Sequence, residues 1–245
     1  MKKLLGASLL IASGTIFAFA HGNTDERNGH KRDVEHRHHD YKYLESKTLS
    51  MDTSAFKQFV IEAGAGSLKV VGGDNSEITV IADVFKKSDD TDYCLSLEKF
   101  NNDTIELAAN TCKKSMSSDT LIDLEVKLPA SLLTRIKDSS GSLRTENASI
   151  ILIEDSSGSI KVTDNHVSLS IEDGSGSITV ANVKGDLSIE DGSGSISIEH
   201  VAGHVTIDDG SGSITVNDAE KFTLIDDGSG SVSLNNIKNN GYSGY

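Results

Sequence analysis

Gly176-Ser177-Ile178-Thr179-Val180-Ala181-Asn182-Val183-Lys184-Gly185-Asp186-Leu187-Ser188-Ile189-Glu190-Asp191-Gly192-Ser193 is one unit of a repeat, and its reading decides the fold. The Gly-Ser that opens it recurs at Gly141, Gly158, Gly176, Gly194, Gly212 and Gly230, at spacings of 17, 18, 18, 18 and 18. Ile178 and Val180 alternate with polar residues, as do Leu187 and Ile189, and period-two alternation describes a strand with one buried face. Val183 falls between the two pairs and is expected to point inward. One unit of this size cannot bury its apolar face alone, but stacked units can, each strand pairing in parallel with its copy in the next rung.

The sequence therefore predicts an all-β protein: a right-handed parallel β-solenoid with 18-residue rungs and an N-terminal β cap. Four inward columns follow from the spacing. They are Ile160/Ile178/Ile196/Ile214/Val232, Val162/Val180/Ile198/Val216/Leu234, Leu169/Leu187/Val205/Leu224 and Ile153/Ile171/Ile189/Ile207/Ile225. At a rung spacing of about 4.8 Å the array is about 24 Å tall. A left-handed hexapeptide coil also uses 18 residues per turn but needs an aliphatic residue every sixth position, which Ile178, Val180, Val183, Leu187 and Ile189 do not supply; parallel crossovers favour the right hand.

Outward from the repeat, residues 1–20 read as a signal peptide: basic Lys2 and Lys3, an apolar run from Leu4 to Phe17, and Ala18-Phe19-Ala20 as a small-x-small cleavage site. Export to the periplasm or the exterior, with cleavage near Ala20, is the expectation. No later stretch is apolar enough to span a bilayer. Residues 21–50 are charged and His-bearing with little periodicity, and read as a polar arm. Residues 51–130 read as strands that cap the stack, 131–235 as the solenoid, and 236–245 as a polar tail. Gly64-Ala65-Gly66-Ser67-Leu68-Lys69-Val70 has the form of an early, degenerate rung.

Cys94 and Cys112 are the only cysteines, and in an exported chain an even count points to a disulfide. If Asn101 pairs with Ile105 across a hairpin turn, Cys94 stands opposite Cys112, and a cross-strand bridge is geometrically allowed.

The Gly-Ala-Gly-Ser-Leu-Lys-Val segment, the strand ending Val126-Lys127-Leu128-Pro129 and the repeated Asp-Gly-Ser-Gly-Ser-Ile-x-Val together resemble the bacterial "putative adhesin" family of β-strand-repeat proteins, over roughly residues 55–235. The resemblance implies a right-handed β-solenoid with no established catalytic residues.

Net charge is −14, and between Gly141 and Asn235 sixteen Asp or Glu stand against four Lys or Arg. Such a surface repels phosphate backbones, which argues against nucleic acid as a partner. Three outward ladders are expected. The acidic one comprises Asp138, Asp155, Asp173, Asp191, Asp209 and Asp227, each three residues before a repeat Gly, with Glu154, Glu172, Glu190, Asp208 and Asp226 beside them. Its simplest role is to accept backbone N–H groups in the turn. The alternative is cation binding, for which Ca²⁺ suits hard carboxylate oxygens, although the period is not that of nine-residue calcium repeats. The hydroxyl ladder runs through Ser177/Thr179, Ser195/Ser197, Ser213/Thr215 and Ser231/Ser233, interrupted by Lys161. The third feature is His36, His38 and His39 beside Asp40, read either as a solvated arm or as a transition-metal tract. His166, His200 and His204 fall in turns and read as surface residues.

The serines and aspartates belong to the repeat rather than to one unique constellation, so no enzyme is expected. The reading is a non-enzymatic exported solenoid that meets an envelope or surface partner, protein or glycan, without an obligatory cofactor. A periplasmic divalent-cation binder is the first alternative and a polysaccharide-active enzyme the second.

Overall fold

The computed structural model describes residues 38–88, 92–111 and 119–240. Its elements are β1 (Lys42–Asp52), β2 (Gln58–Gly73), β3 (Glu77–Lys86), β4 (Leu95–Lys99), β5 (Thr104–Ala109), β6 (Thr120–Pro129), β7 (Leu133–Glu146) and β8 (Ser149–Asp155). They continue as β9 (Gly158–Asn165), β10 (Leu169–Asp173), β11 (Gly176–Val183), β12 (Leu187–Asp191), β13 (Gly194–Asp209), β14 (Gly212–Leu224) and β15 (Gly230–Asn240). All the described elements are strands, and none is a helix able to cross a membrane.

Parallel stacked coils form a β-solenoid. One face stacks β2, β7, β9, β11, β13, β14 and β15, with Gly176 opposite Gly158 on one side and Gly194 on the other. The second face stacks β5, β2, β7, β8, β10, β12, β13 and β14. The early Gly-Ser is indeed a rung, since Gly66 pairs with Gly141 and Leu68 with Leu143. Over the N-terminal end, β1 lies antiparallel to β3 and β3 to β6, while β6 runs parallel to β2. The hairpin β4–β5 joins through β5.

The inward columns form the core. Ile160, Ile178, Ile196 and Ile214 are buried, as are Val162, Val180, Ile198 and Val216, and Val183. Each such side chain contributes about 2 kcal/mol by leaving water. Asn165 occupies the place of Val183 in the preceding rung. It is tolerated there because its amide is fully engaged: Oδ1 accepts from Ile150 N–H at 2.8 Å, and Nδ2 donates to the carbonyls of Ile150 (3.0 Å) and Val167 (2.8 Å).

The glycine of each rung is a steric requirement. A Cβ built on Gly176 would sit 1.6 Å from the carbonyl oxygen of Gly158, and one on Gly194 just as close to that of Gly176. The rungs can approach at sheet spacing there only because no side chain intervenes.

Four expectations are corrected. Residues 42–50 of the expected polar arm are strand: Lys42–Asp52 forms β1, with Leu49 and Met51 packed against the core. Nor is the expected tail from 236 free of structure at its start, since Asn236–Asn240 continues β15. In the hairpin, Lys99 rather than Asn101 pairs with Ile105, so Cys94 faces Asn110, whose N–H donates to the Cys94 carbonyl at 2.8 Å. The wider loop is held by Asp103 N–H donating to Asn101 Oδ1. In the last rungs, Val205 pairs with Phe222 and Ile207 with Leu224. One residue fewer between Ala219 and Lys221 than between Val201 and His204 shifts the count to 17, so Phe222 enters the core and Ile225 is 65% exposed. Cys112, His36 and the signal peptide lie outside the described residues.

Candidate functional site

Alternation decides which way each polar ladder points. In Leu187-Ser188-Ile189-Glu190-Asp191 the burial runs buried, half-buried, buried, exposed, buried. Asp191 is thus in phase with Ile189 and turns inward, while Glu190 turns out. The same holds along the stack: Asp138, Asp155, Asp173, Asp191 and Asp209 are only 3%, 6%, 6%, 5% and 1% exposed. The expected outward acidic ladder is a buried column, and the outward acids are Glu154, Glu172, Glu190 and Asp208. Asp227 does not join the column, because one extra residue in the turn after Leu224 carries it out of phase; there Asp226 Oδ1 accepts instead, from the N–H groups of Asp227 and Gly228.

The turn explains the aspartate. Oδ1 of Asp155, Asp173, Asp191 and Asp209 accepts from the N–H of Ser157, Ser175, Ser193 and Ser211 at 3.1–3.2 Å, and Asp138 Oδ1 from Ser139 N–H at 2.9 Å. That is the expected Asx geometry. The second oxygen differs: Oδ2 of all five is buried with no hydrogen-bond partner. The parallel register places Asp138, Asp155, Asp173, Asp191 and Asp209 successively side by side. At about 4.8 Å and an effective dielectric of about 20, two ionised neighbours would repel by about 3.5 kcal/mol. Burial, joined by the neighbouring Asp155 carboxylate, pushes Asp138 up to about 8. Burial together with Asp173 and Asp209 pushes Asp191 up to about 6. Asp155, Asp173 and Asp209 are raised too, with burial the largest cause in each.

Over this column runs a surface groove of about 490 Å³, walled by Lys137 and the outward acids Glu154, Glu172, Glu190 and Asp208, with Gly174, Gly192 and Gly210 along it.

A second groove, of about 580 Å³, runs along another corner of the coil. Its wall is a ladder of residues held at positive φ: Asn147, Asp164, Asn182, His200, Asp218 and Asn236, at 53–61°. Asn and Asp tolerate this conformation best among residues with a side chain. The ladder is tied internally. Asn182 Nδ2 donates to Asp164 Oδ1 at 2.8 Å, His200 Nε2 lies 3.3 Å from Asp218 Oδ2, and Asn236 Nδ2 donates to Asp218. Val183, Val201 and Ala219 supply apolar lining, and Lys238 pairs with Glu220 at 2.7 Å on its border. Sequence reasoning placed His166 and His200 on the surface but missed this ladder. The signal was available, since its members recur at 17, 18, 18, 18 and 18, in step with the glycines.

The hydroxyl ladder is outward and in register, with Ser177 beside Ser195 and Thr179 beside Ser197, and Lys161 interrupts it opposite Thr179. The two described histidines of the arm do not converge. His38 Nε2 lies 3.1 Å from Asp123 Oδ2 and its ring stands edge-on to Phe85, whereas His39 is exposed beside Asp40. Asp123 in turn accepts from Ser67 N–H at 2.8 Å, so His38 fastens the entry of the chain to the cap. Among the described residues no group of three or more His, Cys, Asp and Glu side chains comes together as metal ligands do.

No protein-family model matches the chain, and no curated protein does. Among solved structures it is similar to a "putative cell adhesion protein" from Clostridium sporogenes, at 11% identity and a TM-score of 0.38, covering 79% of this chain and 99% of that one. It is also similar to a "putative adhesin" from Bacteroides fragilis (13% identity, TM-score 0.36, 79% and 97% covered) and to one from Parabacteroides distasonis (12%, 0.34, 77% and 97%). Nothing about activity follows from likenesses of this order.

Proposed function

We propose that this chain is an exported, non-catalytic solenoid scaffold that holds an extended partner, protein or glycan, of the cell envelope or surface along the side of its stack. One observation carries the reading. Two surface grooves run along the stacking direction, and each is lined by equivalent residues of several successive rungs. A surface whose chemistry repeats every rung suits a partner that is itself extended and repeating. Catalysis on a small substrate calls instead for one unique constellation of acid, base or nucleophile.

Of the two grooves, the Asn/Asp/His corner suits recognition better. It combines apolar lining with amide, imidazole and carboxylate groups, as ligand-binding clefts do. The acidic groove repels anions and has a single cation, Lys137, in its wall.

The test is retention of the mature chain on bacterial envelope preparations, compared with an Ala202→Trp variant that fills the corner groove from an exposed position. The reading expects saturable retention of the parent, loss of at least tenfold in affinity for the variant with its unfolding midpoint unchanged, and no chemical change in the retained material. Equal retention by both proteins, or turnover of the material bound, would contradict it.

A further inference from the structure

The buried carboxyl column has no role in the proposed recognition, and its geometry calls for one. We propose that Asp138, Asp155, Asp173, Asp191 and Asp209 form a proton-binding stack. On this account the solenoid takes up protons there as it folds, and loses stacking stability as the surroundings turn alkaline.

Four features of the structure lead to this. Each side chain lies on the inward phase of its strand, more than nine-tenths buried. Each Oδ2 is shut from solvent without a partner, an arrangement far more costly for an anion than for a neutral acid. The five stand in one parallel register, so ionising one raises the cost of ionising the next.

The fourth feature is the absence of a counter-charge among the described neighbours. Beyond Asp138 the register continues into Ala63 of β2. At the other end stand Asp208 and Asp227, which push Asp209 further towards its neutral form. The flanking outward positions carry Glu154, Glu172, Glu190 and Asp208, and Lys137, beside Asp138, is exposed to solvent. Two carboxylates could instead share a cation. Here, though, one oxygen of each is spent on the turn, and no group of three ligating side chains converges among the described residues.

The sign follows from linkage. A carboxyl that ionises later in the folded chain than in the unfolded one, near 4, binds protons preferentially in the folded state. Its contribution is complete below pH about 4. It is lost as pH rises through the folded values, about 6 at Asp191 and about 8 at Asp138. Within that window, each proton held only by the folded chain lowers the folding constant about tenfold per pH unit. A rise in pH across this range would therefore loosen the acidic side of the coil.

The experiment uses the mature chain with aspartate side-chain carboxyls labelled with ¹³C, titrated from pH 3.5 to 9 by NMR, together with urea unfolding at pH 5 and pH 8. Expected are carboxyl resonances titrating above pH 5.5, assigned by their loss in Asp191→Asn and Asp138→Asn, and a urea midpoint lower at pH 8 than at pH 5. Asn keeps the turn acceptor and removes the titration, so Asp191→Asn should reduce that difference and Asp138→Asn, the group pushed highest, should reduce it further. Should a variant fail to fold, the parent titration decides by itself. Aspartates that all titrate below pH 4.5, or stability that is flat or rising from pH 5 to 8, would overturn the proposal. So would carboxyls that stay ionised at neutrality, with the pH 8 midpoint raised by millimolar Ca²⁺, because the column would then be a cation site.

Discussion

Replacing Gly194 by alanine places a methyl group where the fold has a carbonyl. The new Cβ would lie 1.6 Å from the Gly176 oxygen and 2.7 Å from its carbon, both backbone atoms. Ordinary contact needs about 3.5 Å, so one rung must shift by about 2 Å, a large part of the spacing of about 4.8 Å between strands. That shift breaks the local ladder, including Gly194 N–H to the Ser211 carbonyl and Gly176 N–H to the Ser193 carbonyl, both at 2.9 Å. Each lost buried backbone bond costs about 1–3 kcal/mol. The φ of +152° adds strain for any residue with a Cβ, about 1–3 kcal/mol. The sum is about 4 kcal/mol or more, which for a chain of this size lowers the thermal midpoint by about 10 °C. The assay is urea and thermal unfolding followed by far-ultraviolet circular dichroism, with exposed Ser195→Ala as the neighbouring control, expected within about 0.5 kcal/mol of the parent. If Gly194→Ala unfolds within about 1 kcal/mol of the parent, the rungs do not approach through their glycines and the stacking argument fails.

Phe222→Ala should cost about 3–5 kcal/mol in chemical unfolding, and Ile225→Ala no more than about 0.5 kcal/mol; the reverse order would restore the uniform 18-residue register. Asn165→Val, although it copies the residue at Val183, should destabilise by about 2–3 kcal/mol by stranding the backbone groups of Ile150 and Val167, and a neutral result would deny the amide its bridging role. We propose that Cys94 and Cys112 form a disulfide. Intact-mass measurement should then show a gain of two hydrogens on reduction, with a loss of about 3 kcal/mol in stability, and free thiols in the untreated protein would dismiss it.

Much of the coil was legible because period two is a local signal. Ile178, Val180, Leu187 and Ile189 announce their own orientation, and the glycine spacing announces the rung. The same period carries Asp191 inward two residues after Ile189, where charge alone points outward. The usual expectation that an acid faces water fails at this turn, because Oδ1 is needed inside to accept the Ser193 N–H. β1 was illegible for a different reason. A register shift lies between Tyr43 and Glu45, and Leu44, 45% exposed, falls out of phase with Tyr43, Leu49 and Met51, so the apolar residues of the strand do not read as one alternating set. The hairpin register depended on how many residues the loop spends, and the Asn101–Asp103 side-chain turn fixes that number only in three dimensions. The corner groove went unread because Asn, Asp and His look dissimilar in sequence while sharing tolerance of positive φ.

The acid column, the glycine stack and both grooves depend on one claim, that residues one repeat apart lie side by side. Nitroxide labels on cysteines at exposed Ser177 and Ser195, which are register partners, test it directly. With the native cysteines oxidised, continuous-wave electron paramagnetic resonance should show strong spin exchange between labels anchored one rung apart, about 4.8 Å. A pair at Ser177 and Ser231, three rungs apart at about 14 Å, should show only weak dipolar broadening. Narrow, non-interacting spectra from the first pair, or equal broadening from both, would contradict the stacked register.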